Sequence, residues 1–160
     1  MKTARLAALL AATLPAVAHA QPPERAVPYW ASISAGEARM RTGPGRQFPA
    51  IWLYRRAGLP VKVLQVVQGW RRVQDQDGAV GWMLANLLSE TRTGVITGAG
   101  TEPLRASPEP GARVVWEAEP GVVGRIASCA DGWCAFDVKG KRGFVATDRL
   151  WGVAAGEVVK

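Results

Sequence analysis

Two segments of the 160-residue chain repeat each other at a spacing of 62 to 64 residues, and this restricts the fold more than any other feature. Met40-Arg41 and Pro44 recur as Leu104-Arg105 and Pro108, and Gly69-Trp70 recurs as Gly132-Trp133. Gly58-Leu59-Pro60-Val61-Lys62-Val63 recurs as Gly121-Val122-Val123-Gly124-Arg125-Ile126. Gly81-Trp82-Met83 recurs as Gly143-Phe144-Val145, and Leu88 as Leu150. The order is kept while the spacing drifts by one or two residues, which is the mark of tandem duplication. A unit of about 55 residues buries only about 60% of its chain surface and is marginal alone. Large rings, a covalent link and docking of one unit on the other are the available supports, and the chain has seven Trp.

Within each unit, apolar and β-branched runs of four to eight residues are punctuated by Gly, Pro and Asp, the pattern of short strands. Strands are expected near residues 38–42, 50–55, 61–67, 70–75 and 79–84, and again near 102–106, 112–117, 122–128, 133–138 and 142–146. Asp77-Gly78 and Lys139-Gly140 stand where hairpin turns belong, because Gly supplies the positive φ that such turns require. No segment holds a 3.6-residue apolar period for three turns, so helix is expected only as single tight turns at residues 84–88 and 146–150. The expected fold is therefore all-β: two tandem small barrels of five to six short strands each. The units span residues 31–90 and 102–153, with a loose leader at 21–30, a linker at 91–101 in which Val95-Ile96 could add an edge strand, and a tail at 154–160.

Residues 1–20 read as a secretory signal peptide. Lys2 and Arg5 form a positive head, residues 6–18 are almost wholly apolar, and Ala18-His19-Ala20 is a small-x-small cleavage site ending between Ala20 and Gln21. The apolar run is 13 residues long and contains Pro15, too short for a membrane span, so no transmembrane anchor is expected. Loss of Lys2 and Arg5 lowers the formal net charge from +7 to +5. Cleavage also removes His19, the one histidine, and with it Ser-His-Asp catalysis, Cys-His catalysis and every His-ligated metal site. An exported destination, periplasmic or extracellular, also argues against nucleic acid as the partner of so basic a chain.

Cys129 and Cys134 are the only cysteines, and an even count in an exported chain reads as a disulfide. Half of a zinc site would need further Cys or His ligands that the mature chain lacks, and a redox pair favours Cys-x-x-Cys at a helix start. Ala130-Asp131-Gly132 between them is a turn signal, which suits a bridge across the base of a hairpin. No metal and no cofactor is expected. Gly98-Ala99-Gly100 follows no βαβ pattern and lacks Gly-Lys-Ser, so it is not a phosphate loop.

The strings ARMRTGPGRQFPAIWLYRRAGLPVKV, GWRRVQDQDGAVGWMLANLLS and GWCAFDVKGKRGFVATDRLWGV resemble bacterial SH3-like domains over residues 31–153. The first unit is the closer match; in the second, SPEPG replaces the Gly-Pro-Gly string and Phe144 stands where Trp is usual. This resemblance implies SH3-like barrels in an exported envelope protein, of a kind that often targets peptidoglycan or binds peptides. Some such domains accompany a Cys-His peptidase domain, which this sequence does not contain. The implied role is binding without catalysis.

Charge points to the first unit as the binding partner's contact. Residues 31–95 hold nine Lys and Arg against four acids, whereas residues 96–160 hold eight of each. Arg55, Arg56, Arg71 and Arg72 lie beside Trp52, Tyr54 and Trp70, with Trp82 nearby. Such guanidiniums grip carboxylates while the rings stack on sugars or apolar groups, and peptidoglycan offers both. The same residues also fit a solvated basic face over a Trp core, and the repeat equivalence of Trp70 with Trp133 and of Trp82 with Phe144 favours core or groove wall. Asp75 and Asp77, like Glu117 and Glu119, are spaced to cap a turn's own amides rather than to face each other across a glycosidase cleft. Three function classes follow: an envelope module recognising peptidoglycan or peptide, an accessory or inhibitory subunit docking on a periplasmic protein, and, against the weight of the residues, a stand-alone envelope hydrolase.

Overall fold

The computed structural model describes residues 25–160, so the expected signal peptide and its cleavage site lie outside the described residues. The first unit contains β1 (Tyr29–Ile33), β2 (Ala38–Arg41), β3 (Ala50–Tyr54), β4 (Pro60–Val67), β5 (Trp70–Gln74), β6 (Val80–Leu84) and β7 (Leu88–Ser89). The second contains β8 (Thr93–Ile96), β9 (Glu102–Arg105), β10 (Val114–Ala118), β11 (Val123–Ala130), β12 (Trp133–Val138), β13 (Lys141–Ala146) and β14 (Leu150–Trp151). Single 3-10 turns at Ala85–Leu87 and Thr147–Arg149 stand where tight helical turns were expected.

Each unit is one seven-stranded antiparallel sheet, in the orders β3-β2-β6-β5-β4-β1-β7 and β10-β9-β13-β12-β11-β8-β14, so every strand of one unit has its counterpart in the other. The five long strands expected in each unit are present. The count reaches seven because β1 and β8 pair with β4 and β11, and two-residue strands close onto them. Tyr29 and Trp30 are thus the first residues of β1 rather than leader, and residues 93–96 of the linker form β8. The tail is also held: Val159 and Cys129 exchange backbone hydrogen bonds of 2.9 and 3.0 Å.

Alternation builds the cores. In β4, Val61 and Val63 point inward while Lys62 points out, and in β2 Ala38 and Met40 point inward between exposed Arg39 and half-buried Arg41. The first core gathers Ile33, Met40, Val61, Val63, Val73 and Met83, and the second Ile96, Leu104, Ile126, Phe136 and Val145 with both cysteines. Gly81 and Gly143 recur for a steric reason: a Cβ there would lie 2.5 Å from Met40 Cγ or 2.7 Å from Leu104 Cβ. Repeated Arg41 and Arg105 each pin a loop, donating through Nη1 to the carbonyls of Phe48 at 2.7 Å and Ala112 at 2.8 Å.

Cys129 and Cys134 are joined by a disulfide, directly opposite each other in the β11–β12 ladder, with Cα atoms 4.1 Å apart. Asp131 and Gly132 make the turn beyond them, both at positive φ. The two units dock on each other through Trp30 and Trp151 and through Arg56, whose Nη1 donates to the carbonyl of Gly121 at 3.2 Å.

Candidate functional site

The basic and aromatic residues singled out in the first unit separate in space. Trp70 is 9% exposed but lies outside the core cluster, on the same face as Arg72, where it walls a pocket with Arg39, Arg41, Arg46 and Leu84. Tyr54 is half-buried, its hydroxyl donating to Asp75 Oδ2 at 2.7 Å. Burial first, and then Asp75, push the Tyr54 phenol well above its usual range. Asp75 caps its turn as its spacing suggested, Oδ1 accepting from the amides of Asp77 at 3.1 Å and Ala79 at 2.8 Å. Arg71 donates to the Tyr29 hydroxyl at 3.1 Å and the Trp70 carbonyl at 3.0 Å, and Arg56 reaches the second unit. Arg55 and Arg72 are exposed, and Trp82 is half-buried. Trp52 is 57% exposed on β3, beside exposed Phe48, Ile51 and Leu53.

What the register does assemble in the first unit is a row across the outer face, Arg41–Trp82–Arg72, on β2, β6 and β5. The equivalent row of the second unit is Arg105–Phe144–Ala135, and beside it runs Arg142–Asp137–Arg125. Ala135 occupies the place of Arg72, and Ala127 that of Leu64. Two long side chains that cover the sheet in the first unit are therefore missing in the second. The result is an open groove of about 480 Å³ walled by Arg105, Arg125, Arg142, Val115 and Phe144 over a floor of Ala127 and Ala135.

The charges in this groove are unevenly paired. Asp137 Oδ1 accepts from the Gly140 amide at 2.7 Å, and Oδ2 from Arg142 Nε at 3.0 Å. Those two hydrogen bonds, the amide first, hold its carboxyl below the usual range and keep it ionised. Arg105 uses Nη1 on the Ala112 carbonyl, and its other donors have no partner among the described residues. Arg125 has no hydrogen-bonded or ion-pair partner among the described residues, so its fork of donors faces the groove unspent. Arg125 and Asp137 also line a wider cleft between the units, about 620 Å³, to which Arg56 and Lys139 add positive charge. Groove and cleft adjoin at Arg125 and Asp137. The chemistry of the groove suits an anion with a flat or apolar neighbour, the carboxylate toward guanidinium and the apolar part toward Phe144.

Counting charge along the chain missed this site. The second unit is neutral in sum, but Arg105, Arg125 and Arg142 line the groove while Glu117, Glu119 and Asp148 do not. The usable signal was the loss of bulk at two repeat positions, Leu64 to Ala127 and Arg72 to Ala135. Among the described residues no three His, Cys, Asp or Glu side chains converge as metal ligands would. No helix there is long and apolar enough to cross a membrane.

The bacterial SH3 domain family model matches residues 34–90 and 99–152. Among solved structures the chain is similar to NlpC2 from Trichomonas vaginalis at 13% identity and TM-score 0.36, over 80% of this chain and 49% of that one. It is similar to NlpC1 from the same organism at 14% identity and TM-score 0.36, over 86% and 50%. A third similar structure is an NlpC/P60 family protein from Bacillus cereus, at 12% identity and TM-score 0.35, over 76% and 55%. The chain spans about half the length of these structures. A search of the curated proteins found no match.

Proposed function

Because this chain belongs to the bacterial SH3 domain family, we propose that it is a non-catalytic binding protein of the bacterial envelope that recognises a carboxylate-bearing peptide, the stem peptide of peptidoglycan. The observation that carries this reading is the unpartnered guanidinium of Arg125 in the groove between Ala127, Ala135 and Phe144. Arg105 and Arg142 in the groove and Arg56 and Lys139 in the adjoining cleft extend the positive field, which suits an extended ligand with several carboxylates. The groove's one carboxylate is tied to Arg142 and to a backbone amide, which supports retention of a ligand rather than its hydrolysis.

Co-sedimentation with purified sacculi tests the reading. The protein is expected to bind at physiological salt, and Arg125→Ala to weaken binding about tenfold, the size of a charge-assisted contact of about 1.4 kcal/mol. Ala135→Arg restores the side chain that covers the first unit's face and is expected to abolish binding with the fold intact. Binding confined to low salt would mean charge attraction alone, and binding unaffected by both substitutions would remove the groove from consideration.

A second reading rests on a different surface. Strand β3 is the unpaired end of its sheet and exposes Ile51, Trp52 and Leu53, with Phe48 beside them. An apolar, Trp-bearing sheet edge suits an accessory or inhibitory subunit docking on a periplasmic protein. Cross-linking in cells from position 52 is expected to capture that protein under this reading, and to capture none if the wall alone is the target.

A further inference from the structure

The two units differ at a second equivalent place, the end of the core beneath β3 and β10. In the first unit Tyr54 fills it, with its hydroxyl on Asp75 at 2.7 Å. The second unit has Ala118 in place of Tyr54 and Val138 in place of Asp75. Ring and carboxylate are both gone, and a cavity of about 310 Å³ stands where the first unit leaves about 160 Å³. Leu104, Val122 and Val138 line its apolar depth, and Trp116 forms a wall.

Its mouth has a definite electrostatic character. Lys141 Nζ stands 4.6 Å from the centroid of the Trp116 ring, so that face already accommodates an ammonium. Glu119 borders the opening, and its carboxylate is in no ion pair among the described residues, whereas Glu117 pairs with Pro103 in the strand ladder and shares the opposite face with Arg105. An apolar stem would enter the cavity while its cationic head meets a carboxylate and an aromatic face. This cavity is separate from the basic groove. Leu104 and Arg105, Val138 and Asp137, and Lys141 and Arg142 alternate along their strands, so the two sites open on opposite faces of the same sheet.

We propose that this cavity binds an aliphatic primary ammonium, the side chain of an unmodified lysine-type residue in a peptide, with the alkyl stem on Leu104, Val122 and Val138 and the ammonium between Trp116 and the carboxylate of Glu119. The ligand's ammonium takes the position over the ring that Lys141 holds in its absence.

NMR of the Trp116 indole N–H in the purified protein, disulfide intact, tests this with three small probes. Nα-acetyl-lysine amide is expected to shift that signal saturably at millimolar concentration. Nα,Nε-diacetyl-lysine amide and Nα-acetyl-norleucine amide are expected to bind about tenfold more weakly, as loss of a cation–π contact and its charge pairing implies. Ala118→Tyr with Val138→Asp rebuilds the first unit's plug and is expected to abolish the shift. Glu119→Gln, at an exposed position, is expected to weaken it without touching the core, which keeps the test valid if the core variant fails to fold. Equal binding of the norleucine probe would overturn the ammonium assignment. A shift retained in both variants, or absent with every probe, would overturn the site.

Discussion

Trp30 and Trp151 meet edge to face, their ring centroids 4.9 Å apart and their planes at 89°. One ring lies in the first strand of the first unit and the other in the last strand of the second, so this contact couples two cores that otherwise share little. Trp30 is 7% exposed, and Trp30→Ala is expected to destabilise the protein by about 3 kcal/mol, the low end for a buried Trp. It should also split one calorimetric unfolding transition into two. A variant that still unfolds in a single transition would show that the units are coupled elsewhere.

Tyr54→Phe removes the donor to Asp75 and leaves a buried carboxylate oxygen without its 2.7 Å partner. A loss of about 2 kcal/mol is expected in urea unfolding, the usual size for a hydrogen bond to a charged group. The phenol is held neutral in the folded protein, above the ordinary value of 10.0. Its contribution is therefore complete below pH 10 and declines as pH rises further, because only the unfolded chain ionises there. Wild type should lose stability above that pH more steeply than Tyr54→Phe, and parallel alkaline curves would contradict the assignment.

At the acid end the sensitive contact is Arg92 with Glu157, 2.6 Å apart, which ties the tail to the segment between the units. Burial by itself would raise the Glu157 carboxyl, but the hydrogen bonds from Arg92 and the Ala154 amide outweigh it and hold the carboxyl below the ordinary 4.5. A depressed carboxyl stabilises above its unfolded value and loses that contribution as pH falls through the folded one. Protection of the Val159 amide, its exchange relative to the unfolded chain at the same pH, is expected to fall below pH 4.5, and Glu157→Gln to lower it at neutral pH already. Protection that persists in the variant would place the tail's anchor at Cys129 instead.

Replacing both Cys129 and Cys134 by Ala should lower stability by about 2 kcal/mol, the chain-entropy value for so short a loop. The bridge lies inside the second core, so the loss should appear in that unit's unfolding and leave the first unit's midpoint in place. An equal fall in both would mean that the cross-link acts through the docking of the units.

The repeat made the architecture legible. Period-two runs such as Pro60–Val67 and turn residues such as Gly69 and Gly132 lie in strands and at positive φ as their chemistry requires. Strand β1 was harder to see, because Tyr29-Trp30-Ala31-Ser32 follows a Pro-rich leader and has no alternation: four of its five residues are buried. The candidate site was least legible. Sequence displays the side chains a surface carries, and Arg55, Arg71 and Trp70 drew the reading to the first unit. A groove is made by what its floor lacks, and Ala127 and Ala135 declare themselves only when the two repeats are aligned residue by residue against Leu64 and Arg72.

In each unit the entering strand lies beside the leaving one, with Ile33 opposite Leu88 and Ile96 opposite Leu150. Because the pair is antiparallel, the chain arrives and departs at the same end of that short ladder. Tension along the polypeptide therefore loads its hydrogen bonds one after another, as a zipper does, and never all together in shear. Each unit is built to give way at low force from its own ends, so a link strained through this protein would peel open strand by strand long before its cores felt the load.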